Sequence, residues 1–71
     1  MSTPPVTDRA RVTRARLVEA AAARLVRDGY DAVSLRDVAA DAGLTTGAIY
    51  AHFRNKADLL AAVIAERIAS D

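Results

Sequence analysis

The chain has 71 residues, a net charge of +1 and no cysteine, which limits it to one small domain with a modest core and excludes disulfide and thiolate chemistry. A single histidine excludes a His-based zinc site, and no apolar run approaches the roughly 20 residues of a membrane span. The opening MSTPPVTD has neither the basic start nor the apolar run of a signal peptide, so the cytoplasm is the expected location.

Residues 1–7 read as a disordered N-terminal arm: Pro4 and Pro5 oppose helix, and the segment has nothing to bury. Thr7 is a candidate N-cap, and Asp8 suits the positive end of the helix that follows. That first helix is expected from Asp8 to Asp28, roughly 30 Å at about 1.5 Å per residue. Leu17, Val18, Ala21, Ala22 and Leu25 form its apolar stripe, with Val12 as an extension. The run Ala20–Ala23 favours helix strongly and lets another helix come close. Arg9, Arg11, Arg14 and Arg16 sit badly for the helix dipole and have no acid among them. They are either an ordinary solvated face or one flank of a phosphate-facing surface. Gly29 ends the helix, Tyr30 is the apolar group just beyond it, and Asp31 and Ala32 connect to Val33, which packs inward before the next helix.

The stretch from Ser34 to Lys56 organises the rest. Ser34 caps a short helix, with Asp37 as its reciprocal partner three residues on. Leu35, Val38, Ala39 and Ala42 share one face at helical spacing. Gly43 stands where the chain must leave the helix with a left-handed φ, and Leu44 follows as an apolar plug. Thr45 or Thr46 caps a second short helix whose core-facing residues are Ile49 and Phe53. Its outward face carries Thr45, Thr46, Gly47, Ala48 and Ala51, with Tyr50, His52, Arg54 and Lys56 behind. None of these is acidic. The layout is that of a helix-turn-helix, whose second helix is slim and basic enough for a DNA major groove. Asn55 then caps a last helix, Lys56–Ser70, again with an acid, Asp58, three residues later. Leu59, Leu60, Val63, Ile64 and Ile68 give that helix more apolar surface than a three-helix core needs, and it lacks a stop signal, so it is expected to lead into a further body. The fold class is therefore all-α: a three-helix homeodomain-like bundle with a helix-turn-helix over residues 8–55, plus the start of a fourth helix over 56–71.

The run VSLRDVAADAGLTTGAIYAHFRNKADLL, preceded by a long helix ending in Gly-Tyr, resembles the N-terminal DNA-binding domain of the tetracycline-repressor (TetR) family of bacterial regulators. Gly43 to Lys56 is similar to the family run G-V-S-x-G-x-L-Y-x-H-F-x-s-K, which an acidic residue and two leucines follow. The resemblance implies that Thr45, Thr46, Gly47 and Ala51 face the groove. It implies that Tyr50, His52 and Lys56 hold phosphate, that Arg36 reaches a base or phosphate, and that Ser34 offers its hydroxyl or N–H to a phosphate. It implies double-stranded DNA as partner and, for the full-length protein, a homodimer on a palindromic operator; an enzyme is not expected, because so small a chain offers no metal site, thiol or convincing pocket. Members usually continue into a larger helical domain that dimerises and binds a small ligand; no cofactor or metal is implied for these 71 residues. Leu25 stands where the family often has Phe, and Thr46 where Lys or Arg is frequent.

Each of these residues also has a plainer role open to it. Gly47 costs about 1 kcal/mol against Ala inside a helix, so it is either a turn glycine or a point of close approach to phosphate. Tyr50 is either turned out or a buried, internally satisfied tyrosine. His52 is a packing or capping histidine or a phosphate ligand, and Arg36 a base reader or a surface partner of Asp37 or Asp41. The rival to DNA binding is a protein-interaction module docking through Ile64 and Ile68.

Overall fold

The computed structural model describes residues 5–70, with side chains from 9 to 68, and among these residues it has four α-helices and one 3-10 turn. Helix α1 spans Pro5–Asp28. It starts three residues ahead of the expected Asp8, because proline at a first helical position gives up an N–H that would be unpaired anyway. Thr7 therefore lies inside α1 and is not its N-cap. Residues 1–4 of the expected arm lie outside the described residues. Leu17, Val18, Ala21 and Ala22 are buried, and Leu25 packs half-buried beside them. Val12 is 58% exposed and does not extend the stripe. It borders an open groove with Ala15, Ala20 and Ala42, side chains too small to cover it.

Gly29 takes φ 87° and donates to the Leu25 carbonyl at 3.0 Å, closing α1. The connection expected at Asp31 and Ala32 is a 3-10 turn, Tyr30–Ala32, and Tyr30 is 51% exposed rather than packed under the helix end. Val33 is buried, as its place before the cap requires.

Helix α2 spans Leu35–Asp41, with Ser34 Oγ accepting from the Asp37 N–H at 3.1 Å. The Asp37 carboxylate turns toward Arg24 of α1, 3.7 Å away, instead of returning to Ser34. Leu35, Val38, Ala39 and Ala42 are buried together. The helix ends in a Schellman turn: Leu44 N–H donates to Ala39 C=O at 2.8 Å, Gly43 N–H to Ala40 C=O at 3.0 Å, and Gly43 has φ 74°. Helix α3 is Thr46–Tyr50 and α4 is Lys56–Ser70. Asn55 Oδ1 accepts from the Asp58 N–H at 2.8 Å, and the Asp58 carboxylate accepts in turn from the Arg54 N–H at 3.0 Å.

Helix α1 packs on both α2 and α4, and α2 packs on α3. Leu17, Val38, Ile49, Phe53 and Leu59 are the largest fully buried side chains. Each comes from a different helix or from the α3–α4 link, so a single core sets the pose of α3. No polar or charged side chain is buried among the described residues. Arg24 joins α1 to α2 on the outside, with its guanidinium 2.5 Å from Asp41, 3.7 Å from Asp37 and 3.8 Å from Asp28.

Candidate nucleic-acid interface

Five residues are far too few for an independent helix, which needs about 12–15. Helix α3 exists because its ends are tied and one side is buried. Thr45 is the cap, of the two threonines in question: its Oγ1 accepts from the Ala48 N–H at 3.1 Å. Ile49 is fully buried and Ala48 half-buried. At about 100° per residue, positions 46, 47, 50 and 51 fall in one arc away from Ile49. All four are exposed, as is Thr45. Tyr50, at 54% exposure, points outward and is not a core tyrosine. Gly47 has no positive φ, and a Cβ built on it would come no nearer to a foreign atom than 3.9 Å, at Thr45 Oγ1. Neither a turn nor packing demands glycine there.

The second helix, expected to include Phe53, stops at Tyr50. Ala51 is its C-cap, donating to Gly47 C=O at 3.1 Å, and the N–H groups of His52 and Phe53 both converge on Ile49 C=O, at 3.0 and 2.9 Å. Phe53 must turn into the core and Asn55 must cap α4, so the chain changes direction in between. Arg54 consequently sits in the link, and Lys56 is the first residue of α4. His52 is half-buried, its ring 6.2 Å from that of Phe53 and tilted by 41°. Lys56 is also half-buried: its Nζ donates to the Tyr30 carbonyl at 3.0 Å and lies 4.5 Å over the Tyr30 ring. One of its three N–H donors is thus spent inside the fold.

Ser34 is half-buried and its hydroxyl is committed to the α2 cap. Arg36, in the first turn of α2, is exposed. The acids considered as its surface partners, Asp37 and Asp41, face Arg24 instead. The Asp41 carboxyl is held below the ordinary aspartate range by its hydrogen bond from Arg24, and the Arg24 guanidinium is held above its own for the same reason. Both carboxylates, of Asp37 and Asp41, are thus turned toward Arg24 of α1, and no acid occurs between Gly43 and Ala57. The four α1 arginines divide. Arg9, Arg11 and Arg16 are exposed and Arg14 is half-buried, but the last two are engaged within the fold. Arg16 donates to the Ala42 carbonyl at 3.1 Å; Arg14 lies 4.8 Å over the Phe53 ring and 3.6 Å from Glu66. Nothing local in the sequence marks these uses of Arg14, Arg16 and Arg24, since each depends on how helices cross. Only the Arg24–Asp28 pair, at i and i+4, has a readable spacing.

Among the described residues, no group of three or more His, Asp or Glu side chains is placed to hold a metal ion, and no helix is long and apolar enough to cross a membrane. A capped two-helix unit that presents a short, acid-free helix on a shared core is a helix-turn-helix, the arrangement of a class of DNA-binding domains. Residues 17–63 match the family described as bacterial regulatory proteins, tetR family, and the chain belongs to that family. It is 44% identical over 57 residues to the HTH-type transcriptional regulator TtgR of Pseudomonas putida, a match covering 80% of this chain and 27% of that protein. It is 42% identical over 55 residues to the HTH-type transcriptional regulator SrpR, also of Pseudomonas putida, covering 78% and 26% respectively. It is 45% identical over 47 residues to the probable acrEF/envCD operon repressor of Escherichia coli, covering 66% and 21%. The chain spans about a quarter of the length of these relatives. No solved structure matches it at a significant level.

Proposed function

We propose that this domain is the DNA-reading head of a bacterial transcriptional repressor, with α3 in the major groove of one half-site of a palindromic operator. The observation that carries the reading is the exposed, acid-free arc of Thr46, Gly47, Tyr50 and Ala51, held on a core-anchored helix beside Arg36. Thr46 and Arg36 read bases: a hydroxyl and methyl suit thymine and adenine edges, and a guanidinium fork suits guanine. Thr45, Gly47 and Ala51 set how closely the helix backbone lies in the groove. The Tyr50 hydroxyl, the His52 ring, the remaining Lys56 donors and the Ser34 end of α2 hold phosphates on either side. The whole protein acts as a homodimer on two half-sites, and a small inducing ligand is bound by the part of it that lies outside these residues.

Fluorescence anisotropy on a duplex selected by the protein from a random library, and on a scrambled copy, tests this. Tyr50→Phe weakens binding to both duplexes alike. Thr46→Val and Arg36→Ala lower affinity for the selected duplex far more than for the scrambled one. An equal loss on both for Arg36→Ala removes it from base reading. A second surface favours a different reading: Val26, Ile64 and Ile68 are 83%, 58% and 70% exposed along neighbouring parts of α1 and α4. Self-association in light scattering, together with no duplex binding even at low salt, would replace the DNA reading with a docking module.

A further inference from the structure

Helix α3 is reached through Ala42–Gly43 and left through Phe53, and α1 touches both places. Arg16 Nη2 donates to the carbonyl of Ala42, the C-cap of α2, at 3.1 Å. The same nitrogen lies 3.7 Å from where a Cβ on Gly43 would stand, so it packs against the glycine of the turn. Arg14, less than one helical turn away, covers the Phe53 ring at 4.8 Å. Phe53 is fully buried, and its N–H closes the last turn of α3 on Ile49 C=O. A carbonyl at a helix C-terminus is electron-rich and short of donors, so a guanidinium is well suited to it. A guanidinium over an aromatic face is likewise attracted by the ring quadrupole.

We infer that Arg14 and Arg16 are positioning residues that brace the segments leading into and out of the recognition helix from α1, and that they are not phosphate ligands. The inference rests on the DNA reading given above and divides the basic start of α1 in two. Arg9 and Arg11 remain outward-facing charges, whereas the next two arginines set the angle at which α3 leaves the bundle.

The two roles separate experimentally. A phosphate ligand acts on every duplex and contributes about 0.9 to the slope of log affinity against log salt. A positioning residue acts on the selected duplex, leaves the slope alone, and is rescued by a neutral side chain that still donates a hydrogen bond. The test compares Arg16→Ala, replacement of Arg16 by citrulline, and Arg14→Gln in the full chain, by anisotropy against salt on the selected and scrambled duplexes. Arg16→Ala is expected to lower selected-duplex affinity by about five- to tenfold, the scale of one intramolecular hydrogen bond, with scrambled binding and slope unchanged. Citrulline at position 16 restores most of it, because its urea has the length of the guanidinium and donates to Ala42 without a charge. Arg14→Gln lowers selected affinity, also at unchanged slope. A slope reduced by about 0.9 on replacing Arg16 by citrulline, or equal losses on both duplexes, overturns the inference.

Amide hydrogen exchange on the free protein supplies a reading independent of DNA. Arg16→Ala should speed exchange at Leu44 and Ala48, the amides bonded in the turn and the α3 cap, and citrulline at position 16 should return it to the wild-type rate. Unchanged exchange at both amides overturns the inference, even if the wild-type chain selects no duplex. Failure to select a duplex would by itself count against the DNA reading alone.

Discussion

Gly47 is a residue whose identity the fold does not explain and the proposed DNA contact would. It sits in an ordinary helical conformation with room for a methyl group. Gly47→Ala should therefore raise stability, by up to about 1 kcal/mol, while weakening duplex binding as the added methyl meets the groove wall. Thermal unfolding and anisotropy on the same sample check the opposite signs; a gain in both would leave Gly47 without a part in the interface. Ser34 and Thr45 behave in the reverse manner, since each spends its hydroxyl on a cap. Ser34→Ala and Thr45→Ala should each cost about 1 kcal/mol by denaturant unfolding. Lys56 belongs to both groups. Its ammonium fastens the start of α4 to Tyr30, so Lys56→Ala should lower the melting temperature as well as the affinity, whereas Tyr50→Phe should lower affinity alone. The caps were readable in the sequence because side chain and backbone partner lie three residues apart. The Tyr30 contact was not, because it joins residues 26 apart.

The helices owe their definition to different things. Helices α1, α2 and α4 follow from apolar spacing, and the sequence placed their C-terminal ends or caps correctly at Asp28, Ser34, Gly43 and Asn55. The N-terminus of α1 was misplaced because proline was read as a breaker, although a first-turn proline is compatible with helix. The end of α3 was misplaced because Ile49 and Phe53 keep an i, i+4 spacing that looks helical through residue 53, whereas Phe53 reaches the core from a turn. Between α1 and α2 the tie is electrostatic. Arg24 holds the Asp41 pKa down in the folded state, so Asp41 contributes stability that is present above the ordinary aspartate range and is lost as the pH falls through it toward the depressed folded value. The melting temperature of Asp41→Asn should thus lie below wild type at pH 7, and the gap should close below about pH 4. A gap of constant size from pH 7 to pH 2 would show that the carboxylate charge has no such role.

As one molecule, the domain has two faces of opposite character. One is polar, free of acids around α3, and suited to a polyanion. The other is apolar, where Val26, Ile64 and Ile68 stand exposed at the α1–α4 end. Changing Val26 and Ile64 to serine should alter the unfolding free energy of the 71-residue chain by no more than about 0.5 kcal/mol per site, as for other surface positions. A larger loss in a longer version of the protein would show that the rest of the chain rests there. The excess of apolar residues on α4 was legible as a count. Which of them remain uncovered was not, because that depends on how far α1 and α4 overlap. The proposed site divided in the same way. The exposure of Thr45, Thr46, Gly47 and Ala51 was expected from helical spacing, which left Tyr50 open between surface and core. The engagement of Arg14, Arg16 and Lys56 with the bundle required the tertiary fold.

The shortness of α3 has a practical corollary. One and a half turns of helix keep their shape here only through Ile49, two borrowed carbonyl contacts and a threonine. A synthetic peptide copying those few letters would be a random coil and a useless decoy. Anyone wishing to move this reading preference into another regulator should transplant the frame along with the probe, from Arg14 through Phe53.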